Sequence, residues 1–170
     1  MIDKRPLIIA FSAICILLAV EAIRSQIVPR YWLNLTGSEP RGIYKLVETS
    51  MPLTRGEVIL MKCPPGYEKY LYGRKWLPKG WPLFKTVGAL PGEYFCIGDA
   101  EFSVNGKIIG HAYPQDRSGL PMPAIRGCAT VRGKHFLPIA TGLKTSFDGR
   151  YFGDVPDTLI IGLAQPVITF

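Results

Sequence analysis

Thr36-Gly37-Ser38-Glu39-Pro40-Arg41-Gly42-Ile43-Tyr44 separates an apolar N-terminal run from a long, β-rich remainder. Pro40 fixes its own φ and disfavours helix at the residue before it. Gly37 and Gly42 permit tight backbone geometry on either side. Such a stretch holds the Ser38 hydroxyl rigidly on an exposed turn, as a nucleophile requires. A plain turn serine in a Pro/Gly-rich loop has the same signature, so the rest of the chain has to decide.

The 170 residues include 18 Gly and 15 Pro, which favours many turns and short strands over long helices. The length suits one domain with a sizeable core and is too short for two large ones. Twenty basic residues against 13 acidic give a net charge of +7. Such a surface suits nucleic acid, anionic lipid or an acidic substrate. No zinc-finger, RNA-binding aromatic or helix-turn-helix pattern occurs, and the apolar N-terminus favours lipid. No Gly-x-Ser-x-Gly elbow, His-Glu-x-x-His or phosphate-binding loop is present. His111 and His135 have no partner at metal-ligand spacing, so zinc is not expected.

The apolar run extends from Leu7 to Val20, behind Lys4 and Arg5. Fourteen residues at about 1.5 Å each fall short of a hydrocarbon core of about 30 Å, and extension to Ile23 narrows the gap. Basic residues before the run place the N-terminus in the cytoplasm and export the remainder of the chain. A retained signal anchor and a cleaved signal peptide, cut near Val20-Glu21-Ala22, both fit. A buried soluble helix fits less well, because the run is apolar on all faces. The expected organisation is an anchor or signal peptide over 1–23, a membrane-proximal linker over 24–35 and an exported domain over 36–170. Tyr31 and Trp32 beside Arg30 suit a bilayer interface, or packing under the domain.

Two further stretches carry chemistry. Leu83-Phe84-Lys85-Thr86-Val87-Gly88-Ala89-Leu90-Pro91-Gly92-Glu93 reads as an apolar strand enclosing a lysine and ending at Pro91-Gly92. Thr145-Ser146-Phe147-Asp148-Gly149-Arg150-Tyr151-Phe152-Gly153 reads as a strand with an Asp and an Arg two apart, whose plain reading is a surface pair worth little. Ser-x-Pro-x-Gly-x-Tyr from Ser38 to Tyr44, the Lys85 stretch and the Ser146–Gly153 stretch together resemble, in order, three boxes of the signal peptidase I superfamily. They most resemble the TraF-type conjugative-transfer branch. Three departures appear: Thr86 stands where many members have Arg, Glu93 where many have Asp, and Gly149 where Ser is usual. The Gly-Asp-Asn that often begins the third box in housekeeping signal peptidases is absent, which suits the conjugative branch.

The resemblance implies a membrane-associated serine endopeptidase with Ser38 as nucleophile and Lys85 as general base. A lysine amine in water stays charged at neutral pH, and burial lowers its pKa. Leu83, Phe84, Val87 and Leu90 supply such a setting. The resemblance gives Asp148 an essential place, and orientation suits it better than proton transfer, since a carboxylate against Lys85 would favour the charged form. In support, Ser146 aims the Lys85 amine, Arg150 pairs with Asp148, and Thr36 adds a hydroxyl to the Ser38 backbone N–H as oxyanion donor. The implied substrate is an exported pilin precursor, with water or the pilin's own N-terminus resolving the acyl-enzyme. Implied surroundings are inner-membrane lipid, other conjugation-apparatus proteins and a periplasmic active domain. No cofactor, metal or nucleic acid is implied. A general signal peptidase and a non-catalytic pilus-assembly module are the alternatives.

The expected fold is mainly β: a signal-peptidase-like twisted sheet or barrel domain with one N-terminal hydrophobic helix. Strands are expected at Gly56–Lys62, around Lys85, at Cys128–Val131, Lys134–Ile139, Thr158–Leu163 and Val167–Phe170. A hairpin is expected across Asn105-Gly106. Cys15 sits in the apolar run as a small hydrophobe. Among Cys63, Cys96 and Cys128, a Cys96–Cys128 disulfide is expected because both fall in strand-like runs; three buried free thiols is the other reading. Tyr67 to Phe84 interleaves aromatic and basic residues, which suits a membrane surface, single-stranded nucleic acid or rings packed on the domain, and the resemblance favours the membrane over nucleic acid.

Overall fold

The computed structural model describes residues 5–24, 29–49, 51–99 and 101–170. Residues 1–4 of the expected anchor and 25–28 of the expected linker lie outside the described residues. The chain divides into two units, Met1–Arg30 and Tyr31–Phe170.

The first unit carries helix α1 (Arg5–Arg24). Leu, Ile and Ala propagate a helix well, and the run contains neither Gly nor an interior Pro. The described side chains of α1, residues 9–20, are all exposed, with Ile9, Phe11 and Leu17 among them. Among the described residues no helix is long and apolar enough to cross a membrane.

The second unit is two antiparallel sheets. The larger has seven strands in the order β1 (Tyr31–Asn34), β2 (Gly42–Val47), β11 (Ile160–Thr169), β3 (Val58–Met61), β4 (Leu83–Ala89), β9 (His135–Ile139) and β10 (Val155–Pro156). The smaller runs β7 (Lys107–His111), β6 (Glu101–Val104), β5 (Tyr94–Ile97) and β8 (Gly127–Thr130). Asn105 and Gly106 both have positive φ in the β6–β7 turn, the conformation that an Asn-Gly pair adopts most readily. A disulfide joins Cys96 to Cys128, directly opposite each other on β5 and β8.

Three expectations are corrected. Tyr31–Asn34, placed in the linker, form β1 and pair with β2 from Tyr31↔Lys45 to Asn34↔Gly42. The two C-terminal runs are one strand, β11, which absorbs the Pro166 interruption as a register shift against β2. Asp148 and Arg150 do not lie on a strand: Asp148 caps the short helix α3 (Gly149–Phe152), accepting the Arg150 N–H. An acid two residues before a backbone N–H is an N-cap signal, and here it outweighs the β-rich surroundings.

The main core lies between the sheets, with Ile59, Phe102, Phe136 and Leu137 fully buried. Each such side chain contributes about 1.5–3 kcal/mol of burial. A smaller cluster gathers Tyr44, Leu60, Phe84 and Ala164 on the other face of the large sheet. Consequently every residue of β4 is buried, which explains its unbroken apolar run. Tyr67, Tyr70 and Trp76 gather around Phe147, so these rings of the aromatic–basic segment pack on the domain. Trp81 stays more exposed.

Candidate active site

The Ser38 turn is braced from several sides. Buried Asn34, at the end of β1, donates through Nδ2 to the carbonyls of Glu39 (3.1 Å) and Pro40 (3.0 Å). Its Oδ1 accepts from the Thr36 N–H (3.0 Å) and hydroxyl (2.7 Å). Tyr44 donates its hydroxyl to the Pro40 carbonyl at 2.7 Å, and its ring lies 5.0 Å from that of Phe84. The first stretch is thus tied to the second by an aromatic contact, and the spacing from Pro40 to Tyr44 acquires a physical purpose.

Lys85 projects from the middle of β4, where its Cα pairs with that of Ile59 on β3. Its side chain is only 1% exposed. The amine donates to Ser146 Oγ at 2.8 Å and to Ser38 Oγ at 3.3 Å, and the two serine hydroxyls are 2.8 Å apart. Three groups separated by 47, 61 and 108 residues therefore form one small triangle. Burial pulls the Lys85 pKa down to about 8; the charges of Asp148 and Glu39 oppose that fall and Arg150 assists it. Ser38 is half-buried, and among the described residues nothing accepts its backbone N–H.

Asp148 is fully buried and makes no direct ion pair with Lys85 among the described residues. It takes a two-pronged contact from Arg150, at 2.7 Å from Nε and 3.0 Å from Nη2, and also accepts the Ala140 N–H at 2.8 Å. Arg150 reaches on to the carbonyls of Lys144 and of His111 at the end of β7. The pair thereby links α3, the segment after β9 and the small sheet. Gly149 has its own reason: a Cβ there would lie 2.7 Å from the Pro138 carbonyl oxygen. Glu93 accepts from the Leu90 N–H at 2.7 Å and from the Asn105 side chain, closing the turn after β4 as an Asp would.

Of the expected site residues, the structure brings Ser38, Lys85 and Ser146 into contact and sets Asp148 and Arg150 behind them. Thr36 is near, but its hydroxyl proton is committed to Asn34, so an oxyanion role needs that bond to break. Sequence reasoning passed over Asn34 and Glu39, both buried polar residues beside the Ser38 turn. Asn34 lay in the presumed linker; Glu39 was read only as the variable position before Pro40.

A cleft of about 740 Å³ opens onto the triangle. Trp32, Leu35, Trp76, Trp81 and Phe84 line it, beside Ser38, Lys85 and Ser146. Its lining is largely apolar, which suits small or apolar side chains. Among the described residues no group of three or more His, Cys, Asp or Glu side chains could hold a metal ion.

The family described as signal peptidase, peptidase S26, matches residues 4–169. The conjugal transfer protein TraF of Agrobacterium tumefaciens is 32% identical over 175 residues, covering 98% of this chain and 97% of that protein. The probable conjugal transfer protein TraF of Sinorhizobium fredii is 32% identical over 180 residues, covering 98% and 91%. A plasmid transfer protein TraF of Escherichia coli is 31% identical over 149 residues, covering 81% and 82%. Among solved structures, a signal peptidase I from Enterococcus faecalis is similar at 18% identity and a TM-score of 0.39, covering 68% of this chain and 98% of that one.

Proposed function

The chain belongs to the signal peptidase family, peptidase S26, and on that premise we propose that it cleaves an exported pilin precursor in conjugative transfer through an acyl-enzyme on Ser38. The observation that carries this reading is the buried Lys85 amine, lowered to about 8, at 3.3 Å from the Ser38 hydroxyl on an open cleft. At pH 7 about a tenth of such amines are neutral, against about one in 2,500 for a lysine in water. The neutral amine takes the Ser38 proton as Oγ attacks the scissile carbonyl, then returns it to the leaving amine. Ser146 holds the amine in line, since it accepts the shorter of its two hydrogen bonds. The Ser38 backbone N–H faces the developing oxyanion. Asp148 acts through the fold, its charge already matched by Arg150.

The names of the relatives support a conjugation role. In this reading α1 tethers the chain to the inner membrane, and the second unit works in the periplasm on a type IV secretion substrate. The ester is resolved by water, or by the pilin's own amine held at high effective concentration, which closes a ring. No cofactor takes part.

The test is mass spectrometry of a co-expressed pilin precursor with the native protein, Ser38→Ala and Lys85→Ala. Trimming by the native protein alone is expected, and a further loss of one water from the trimmed mass marks cyclisation. Normal trimming by either variant overturns the mechanism.

A further inference from the structure

Glu39 directly follows the nucleophile, yet its side chain turns inward and is 2% exposed. Its Oε2 accepts the Thr141 hydroxyl at 2.6 Å. Its Oε1 is buried with no hydrogen-bond partner. A buried carboxylate oxygen without a donor is costly, so such an atom calls for an explanation. Glu39 also lacks an ion-pair partner among the described residues, whereas the other buried acid, Asp148, has its own in Arg150.

The charges packed around Lys85 can be balanced one by one. Asp148 and Arg150 on the α3 side form a two-pronged pair, in which Arg150 offsets part of the Asp148 charge that Lys85 feels. Ser38 and Ser146 are neutral hydroxyls. Tyr44 on β2 faces Glu39, and burial, with the Glu39 charge, raises its pKa and keeps it neutral. Glu39 is the second acid whose charge Lys85 feels, after Asp148, and it makes no ion pair with the amine among the described residues. Burial raises the Glu39 pKa, while the Thr141 and Thr86 hydroxyls and then Lys85 favour its ionised form, although Thr86 makes no direct bond to Oε1.

We propose that Glu39 is a positioning residue of the site: its buried carboxylate, which has no ion-pair partner among the described residues, adds to the negative charge beside Lys85 and helps the amine keep its proton. The proposal rests on the Ser38–Lys85 reading for its bearing on catalysis. The surroundings are built to hold this acid in place. The Gly142 N–H donates to the Ser38 carbonyl at 3.0 Å, next to the Thr141–Glu39 bond. A Cβ on Gly142 would lie 2.6 Å from the Gly37 carbonyl oxygen. The Thr141-Gly142 pair therefore clasps the nucleophile turn by backbone and side chain together. An isolated buried ammonium would lose its proton too easily and with it the capacity to protonate the leaving amine. A carboxylate at arm's length moderates that without locking the amine into an ion pair.

The experiment is an NMR pH titration of the full chain in detergent micelles, following the Lys85 13Cε signal of lysine-labelled protein, assigned by its loss in Lys85→Ala. Glu39→Gln keeps the shape and removes the charge. Its Lys85 midpoint is expected to move to lower pH, raising the neutral fraction at pH 7 at least about threefold, half a pH decade. Glu39→Asp, which keeps the charge, is expected to move it less. Thr141→Val, which withdraws the donor that favours the carboxylate, moves it in the same direction as Glu39→Gln and stands in if that variant does not fold. An unmoved midpoint in Glu39→Gln, or in Thr141→Val where it stands in, overturns the proposal, because a merely structural Glu39 would leave the titration in place. The two readings fail separately. Normal pilin trimming by Lys85→Ala sinks the dyad while leaving the titration result intact.

Discussion

Replacing Lys85 with Met should make the protein more stable and inactive, and the stability gain should depend on pH in a defined way. In the folded chain the Lys85 amine titrates at about 8, and in the unfolded chain at about 10.4. Below pH 8 the amine is charged in both states, and folding carries a net cost of about 3 kcal/mol for keeping it charged when buried. Between about 8 and 10.4 the unfolded chain still binds the proton and the folded chain does not, so stability rises with pH. Above that range the cost has gone. A methionine of similar length fills the space without the charge. The lost hydrogen bonds to Ser38 and Ser146 count against the variant equally at every pH, since the two hydroxyls still reach each other. The stability advantage of Lys85→Met over the native chain should therefore shrink by about 2–3 kcal/mol between pH 7 and pH 10. Urea unfolding of both full-length proteins in the same micelles at the two pH values measures this directly. A difference that stays constant between them refutes the claim that the fold holds this amine down.

Two other outcomes are expected from the same geometry. Asp148→Asn leaves Arg150 buried against a neutral partner, so it should cost about 3–5 kcal/mol in urea unfolding, far more than any surface pair. Gly142→Ala forces the clasp away from the Gly37 carbonyl and should lower kcat for pilin trimming by about tenfold or more with little change in KM, because it moves the nucleophile and not the cleft.

The site was legible where chemistry constrains neighbouring residues. Ser38 and Lys85 each lay in a local pattern of Pro, Gly and apolar residues, Ser146 came only with the resemblance to three boxes in order, and the strand around Lys85 announced itself by length and apolarity. The Asn-Gly hairpin was equally plain. What stayed hidden was set by distant parts of the chain. Nothing local tells that Tyr31–Asn34 pairs with β2, so a strand passed for a linker and Asn34 with it. Glu39 fills only a variable position in the Ser-x-Pro pattern, and its burial shows only in the contact with Thr141, 102 residues away. The α3 turn was missed because four residues are too few to display a helical period.

The last strand has a consequence for timing. β11 sits between β2, which comes just after Ser38, and β3, which pairs with the strand of Lys85. In the hydrogen-bonded ladder of the large sheet the two halves are joined by these ten residues, the latest of the described strands in chain order. A polypeptide emerging from its N-terminus first has made Ser38 and Lys85 long before the seam between β2 and β3 exists. The ladder that sets the Ser38 turn against the strand of Lys85 is complete only when β11 has been made and has slotted into place.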